Sequence, residues 1–162
     1  MIKLIWAMDK NWLIGSGNKL PWRYKEDLMY FKEMTHNKVV LMGDKTYHSL
    51  KDVYYKNRKL PFQKIYVATL DESKSYSDAI RVNDINSFLK DHKEELWVVG
   101  GATIYKLALP YADELYITWI LNEHEGDFYF PKFPLETDFK LLKEKQGNTK
   151  ELKFSIYGRV KR

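Results

Sequence analysis

The chain contains no cysteine. That excludes a disulfide scaffold, thiolate metal sites and a thiol nucleophile, and it suits a reducing cytoplasm. No apolar run approaches the ~20 residues of a membrane span. The first nine residues, MIKLIWAMD, are apolar but too short and too soon charged for a signal peptide. Repeats, linkers and low-complexity tracts are also missing, so the 162 residues read as one domain, long enough to bury a core. The histidines, His36, His48, His92 and His124, share no metal-ligand spacing, and no metal site is expected. Ser16 and Ser49 have no histidine base nearby, so nucleophilic catalysis has no support. The net charge is +5, yet the lysines alternate with acids, as in Lys90-Asp91-His92-Lys93-Glu94-Glu95. Without a basic stripe or a nucleic-acid motif, this reads as a solvated surface.

What is present is an alternation of short apolar runs and helical spacings. Residues 2–8, 39–43, 64–69 and 96–99 read as strands buried on both faces, with Lys3 the exception. Residues 24–35 carry Leu28, Phe31 and Met34 at helical spacing, and residues 44–50 read as a short helix. Residues 51–61 read as a tyrosine-rich loop and residues 80–82 as a short strand. Asn83-Asp84-Ile85-Asn86 offers cap chemistry for a helix through Phe88 and Leu89. A helix from Ala102 is expected to stop at Pro110. Residues 114–120, 139–144 and 152–160 complete the strands. The order predicts an α/β fold: a mostly parallel sheet covered on both faces, closed by an antiparallel C-terminal hairpin. Two strands end in glycine just before a helix, at Gly43 and at Gly100-Gly101. Two such turns in one small domain point to a phosphate-bearing ligand.

The stretch Ile14–Phe31 stands apart. A Gly-rich loop and a stiff Leu20-Pro21-Trp22 lead into a helix whose first turn holds Asp27 on the side of Phe31. Two readings apply. A lone carboxylate on an apolar helix face is costly to bury, and burial raises its pKa, as functional acids require. An acid in a first helical turn also interacts well with the helix dipole and free amides, the role expected of the neighbouring Glu26. Spacing alone favours the second reading.

Over nearly its full length the sequence resembles the dihydrofolate reductases. The resemblance rests on an ordered set of motifs: Ile14-Gly15 with Asn18, Leu20-Pro21-Trp22, Asp27-Leu28 with Phe31-Lys32, and Met42-Gly43 with Thr46 and Ser49. Further on come Leu60-Pro61, Gly100-Gly101 with Ile104-Tyr105, Leu115-Tyr116-Ile117-Thr118, and Glu125-Gly126-Asp127 with Phe130-Pro131. It implies an eight-stranded sheet with four flanking helices, a monomer, and hydride transfer from NADPH to C6 of dihydrofolate with protonation at N5. Asp27 then matches the acid that holds the pterin, Thr118 its hydrogen-bonded support, and Trp22 a residue that holds a water nearby. Ile5, Ala7, Leu28, Phe31, Leu50 and Val99 match the pterin and benzoyl walls. The segment Asp9–Arg23 matches the lid over the nicotinamide, with Ala7, Ile14, Asn18, Leu20 and Tyr105 beside the cofactor and Asp127 as the latch. Gly43, Lys45, Thr46, Ser49, Thr69, Val99, Gly100, Gly101, Ala102, Thr103 and Ile104 match the remaining cofactor-binding positions. Gly100-Gly101 matches a pair the family joins by a cis peptide.

Both charged anchors depart from the family pattern. Arginine is usual after the first strand-end glycine, where this chain has Asp44, and common in bacterial members at Thr103. The strand end that normally offers Ser or Thr to the 2′-phosphate reads Thr69-Leu70-Asp71. The arginine that clamps the substrate's glutamate is Gln63 here, leaving Arg58 as a substitute from the preceding loop. Trp6 replaces a small residue and is expected to reshape the pocket floor. Two readings follow: a dihydrofolate reductase with altered anchors rescued by lysines such as Lys45, or a relative repurposed for another pterin with NADH or a flavin. A folate-binding protein with little turnover is the non-enzymatic alternative.

Overall fold

The computed structural model describes residues 1–15 and 21–160. Among the described residues, ten strands and five α-helices follow one another: β1 Ile2–Asp9, β2 Leu13–Gly15, α1 Lys25–Thr35, β3 Val39–Gly43, α2 Asp44–Ser49, β4 Lys64–Ala68, β5 Ile80–Val82 and α3 Ile85–Asp91. Then come β6 Leu96–Val98, α4 Ala102–Ala108, β7 Glu114–Ile120, β8 Phe128–Tyr129, α5 Leu135–Asp138, β9 Phe139–Gln146 and β10 Leu152–Arg159. Eight strands form one sheet in the order β5-β4-β3-β6-β1-β7-β10-β9. It is parallel from β5 to β7 and ends in the antiparallel pairs β7–β10 and β10–β9. The predicted eight-stranded, mostly parallel sheet with its antiparallel C-terminal hairpin is therefore the observed one, to which the structure adds a short fifth helix, α5, and the two-stranded β2–β8 sheet.

The chain steps from β1 to β3, β4 and β5 in one direction and returns through β6 to β7. With right-handed crossovers, this puts α1 and α2 on one face and α3 and α4 on the other. The core follows the same division. Ile5, Val40, Met42, Ile65 and Val67 pack with Tyr47, Leu50, Phe31 and Met34. Leu4, Trp6, Met8, Leu41 and Val98 pack with Ile85, Leu89, Ile104, Tyr105 and Ala108. β1 contributes alternate residues to each face and reads apolar throughout, as a central parallel strand must. Lys3 is accommodated by Glu95 at 2.7 Å, Glu114 at 3.8 Å and the Trp97 ring.

Local chemistry accounts for most boundaries. Asp84 caps α3 by accepting from the Ser87 N–H at 3.1 Å. α1 stops before Asn37, whose φ of 56° is left-handed. α2 does not give way to a loop at residue 51; it continues as a π-helical turn, Leu50–Tyr54. Pro110 does not halt the chain's helical course either. It sits in the first turn of a 3₁₀ segment, Leu109–Tyr111, where no intrahelical N–H is needed. The small β2–β8 sheet and α5 carry no sequence period long enough to predict them.

The chain just before β8 meets the end of β2 without room for a side chain. A Cβ on Gly126 would lie 2.4 Å from the Gly15 carbonyl oxygen. Gly126→Ala is therefore expected to lower stability by about 1–3 kcal/mol, read from urea denaturation midpoints.

Candidate active site

The candidate site lies where α1 brings Asp27 to Thr118 in the C-terminal half of β7, beside β1. Register decides what lines it. Ala7 pairs with Thr118 across β1 and β7, and Thr118 with Phe154 across β7 and β10. Thr118 is buried, and its hydroxyl donates to the carboxylate of Asp27 in the first turn of α1. Burial pushes the Asp27 carboxyl up to about 6; the Thr118 hydrogen bond pulls against this, and the charge of Glu26 adds to it. Glu26 turns away. It accepts from the backbone N–H of Asn148 at 2.8 Å and Thr149 at 2.6 Å, and these bonds hold its carboxyl low. Its amide partners thus belong to the β9–β10 turn, not to its own helix. Two adjacent acids are separated into one that stays charged and one that titrates near neutrality.

An apolar cluster packs on the α1-facing side of the sheet. Ile5 and Leu50 are buried, and Phe31 packs on the same cluster with Val99. Leu28 is half-buried on α1. Trp22 is buried against Leu13, Ile120 and Ala7, and its Nε1 finds no acceptor among the described residues. Tyr105 is buried and donates to the Ile5 carbonyl at 2.6 Å, its hydroxyl pushed up by burial and by Asp27. Tyr30, not singled out by its sequence context, packs on Phe154, and burial pushes its hydroxyl up to about 12. Trp6 faces the opposite side of β1. It stacks on Phe130 with ring centroids 4.0 Å apart, so it leaves the α1-facing pocket floor unchanged.

The second part of the cleft lies where β3 and β6 end side by side. The chain leaves β3 through α2 in one direction and β6 through α4 in the other, the arrangement at which α/β sheets bind ligands. The Gly43 N–H donates to the Gly100 carbonyl at 2.8 Å, and the Gly100-Gly101 peptide is cis. Gly43 abuts Ile104, where a Cβ would lie 3.2 Å from Cγ1. Gly100 has φ +127°, which only glycine adopts readily. A Cβ on Gly101 would meet Thr46 Oγ1 at 3.6 Å and otherwise open space. Backbone here can approach a ligand closely. Lys45 and Thr103 are exposed at the rim, while Ser49, Thr69 and Ala102 are half-buried. Ile14 is half-buried on β2, whereas Asn18 and Leu20 lie outside the described residues.

Asp44 is not an isolated acid. Its carboxylate accepts from Tyr76 at 2.6 Å and faces His48 at 3.3 Å and Lys74 at 3.6 Å. The Tyr76 hydrogen bond, with His48 and Lys74, holds the carboxyl low. Lys74 and Tyr76 come from the polar 71–77 segment, which has no periodicity to flag them. At the other end, Gln63 and Arg58 are both exposed. Tyr55 sits against Phe62 with Lys32 over its ring, a packing role for the tyrosine pair. Among the described residues, no group of three or more His, Asp or Glu could hold a metal ion.

A family profile described as "Dihydrofolate reductase" matches residues 1–159. A Bacillus subtilis dihydrofolate reductase is 40% identical over 153 residues, covering 93% of this chain and 87% of the relative. One from Mycoplasma pneumoniae is 34% identical, with 100% of both chains covered. A solved dihydrofolate reductase from Enterococcus faecalis, complexed with NADP(H) and RAB-propyl, aligns with TM-score 0.84 and 25% identity over 99% of this chain and 97% of that one.

A carboxyl raised from 3.8 to about 6 binds its proton more tightly in the folded state than in the unfolded one. Its penalty on folding is therefore absent below pH 4, grows as pH rises to 6 and is complete above that. Asp27→Asn is expected to stabilise the protein by about 1–3 kcal/mol at pH 8 and to make no difference at pH 3.5, measured by urea unfolding at both.

Proposed function

The chain belongs to the dihydrofolate reductase family, and on that premise we propose that it reduces 7,8-dihydrofolate to 5,6,7,8-tetrahydrofolate with NADPH, with Asp27 as the acid that orients the pterin. The observation that carries this reading is the carboxyl of Asp27 in the first turn of α1, paired with the buried Thr118 hydroxyl and raised by desolvation to about 6. Such a group binds the amino and N–H edge of a planar heterocycle as a carboxylate and favours a protonated reacting ring. Ile5, Ala7, Leu28, Phe31, Leu50 and Val99 hold the ring system by apolar contact and exclude water. Trp22 offers a buried N–H for a water beside the acid, and Tyr105 is fixed next to Ile5 by its hydrogen bond.

The cofactor has a matching cradle. Gly43, Gly100, Gly101, Ala102, Thr103 and Ile104 leave backbone open to a pyrophosphate, and Thr46 stands over the glycine pair. Ser49, Lys45 and Thr69 lie along the same edge, and Ile14, Ala7, Val99 and Tyr105 flank the nicotinamide end. NADPH, when bound, would supply the hydride to C6, and Asp27 assists the protonation at N5. Asp27 keeps the pterin oriented throughout, and Thr118 keeps Asp27 oriented.

Asp44 bears on cofactor choice. Its charge is answered within the chain by Lys74, His48 and the Tyr76 hydroxyl. With its charge answered in this way Asp44 does not repel a 2′-phosphate, and the Lys74 ammonium beside it favours NADPH over NADH as the donor. Arg58, with its planar guanidinium, is the cation of the 55–60 turn suited to pair with the substrate's carboxylate tail in place of Gln63.

Steady-state reduction of dihydrofolate, with NADPH and NADH in parallel, tests the reading. Turnover with NADPH is expected, with the hydride-transfer rate falling about tenfold per pH unit above roughly 6 to 7. Asp27→Asn is expected to lower that rate by about 10²-fold or more. Lys74→Ala should reduce kcat/KM for NADPH by about three- to tenfold and leave NADH unaffected. Turnover with NADH alone would reverse the assignment of cofactor. A folded protein that turns over neither would sink the reductase reading.

A further inference from the structure

Asp9 ends β1 and is completely buried, yet the site described above assigns it nothing. Its carboxylate accepts three backbone N–H groups. Oδ1 takes Asn11 at 2.9 Å and Leu13 at 3.0 Å, and Oδ2 takes His124 at 3.1 Å. The first two bonds fold the turn into β2, where Trp12 has φ 69° and its N–H donates to the Asp9 carbonyl at 2.9 Å. A turn of this kind needs one side-chain oxygen. The second oxygen serves a different purpose, reaching a residue 115 positions away in the segment before β8.

That residue touches the head of the cleft. The His124 ring lies edge-on to Trp22, centroids 5.3 Å apart, and to Tyr24 at 6.4 Å. Tyr24 is the N-cap residue of α1, three positions before Asp27. Tyr24 is held in turn by a side-chain hydrogen bond with Asn122 of the same segment. A continuous path of contacts therefore runs from Asp9 through His124 to Trp22 and Tyr24, and so to the helix that presents Asp27 to Thr118. A carboxylate is the one side chain of this size that can accept on both sides. An asparagine would offer one acceptor oxygen and turn an NH₂ group toward either the β2 turn or His124, donor against donor.

We propose that Asp9 is a positioning residue for the reaction. Its Oδ2 pins the 121–127 segment, and through His124 it sets Trp22 and the first turn of α1, so that Asp27 stays aligned with Thr118. The inference rests on the reading of Asp27 as the pterin-binding acid.

The test compares Asp9→Asn, His124→Ala and the double variant in three readouts: steady-state and single-turnover kinetics with dihydrofolate and NADPH, the Asp27 titration midpoint by carboxyl ¹³C NMR, and amide exchange. Asp9→Asn is expected to lower the single-turnover rate about tenfold with KM for dihydrofolate within about twofold, and to move the Asp27 midpoint. Exchange at the residue 124 amide should speed up while amides of β1, β6 and β10 keep their protection. His124→Ala should show a similar loss, and the double variant no more than either alone, because both act through one path. An unchanged rate and midpoint in Asp9→Asn would overturn the proposal. So would additive losses, or a loss accompanied by faster exchange throughout the sheet, which would mark a purely structural role. Should Asp9→Asn fail to fold, the His124→Ala rate and midpoint decide alone. Should the unaltered protein not reduce dihydrofolate, the functional reading falls, and the midpoint and exchange measurements still decide whether Asp9 positions Asp27.

Discussion

The parallel pairing of β1 with β7, from Lys3 with Glu114 to Asp9 with Ile120, is the constraint on which the rest depends. It places Ala7 beside Thr118 beneath α1, and it carries Trp6 to the other face. A slip of one residue would exchange those faces along the whole strand: Trp6 would fill the cleft and Ala7 would leave a void against Phe130. The side chains of both faces hold the register. Leu4, Met8, Leu115 and Ile117 are fully or almost fully buried on one side, and Ile5 packs with Val40 and Met42 on the other.

On that frame the chemistry is mainly a matter of where two adjacent acids point. Glu26 and Asp27 share one helical turn and nearly the same sequence surroundings. Glu26 reaches two amides of the β9–β10 turn and stays charged; Asp27 meets one hydroxyl and an apolar wall, and so titrates near neutrality. The hairpin tip therefore shapes the site without entering it. It fixes a charge beside Asp27 that helps to raise its pKa.

The polar contacts at the two ends of the cleft are built differently. At the β3–β6 end, Asp44 is surrounded by groups from α2 and from the 71–77 segment. The Asp44 carboxylate is thus met in part by residues of a segment far along the chain. In the segment between α2 and β4, Gln63 and Arg58 are exposed, and Tyr54 and Tyr55 pack inward. Between them, buried Asp9 joins the turn into β2 to the 121–127 segment by backbone amides alone.

How much of this was legible depends on the range of the physics involved. The strand and helix order, the parallel sheet and its terminal hairpin follow from local periodicity, glycines and caps, which act within a few residues. The family was legible because Asp27, the strand-end glycines and the Leu-Tyr-Ile-Thr strand stand in a distinctive order. Spacing alone favoured a helix-cap role for Asp27, because it cannot say which of two neighbouring acids faces inward. Crossover handedness and the β1–β7 register decided that. They also turned Trp6 away from the pocket, gave Asp44 its partners, and brought His124 onto Asp9 and Trp22. The sequence by itself determined which elements form and which family they build. Tertiary structure alone decided which polar groups are buried and which atoms answer them, because hydrogen bonds and desolvation act over a few ångströms between residues that can lie a hundred positions apart.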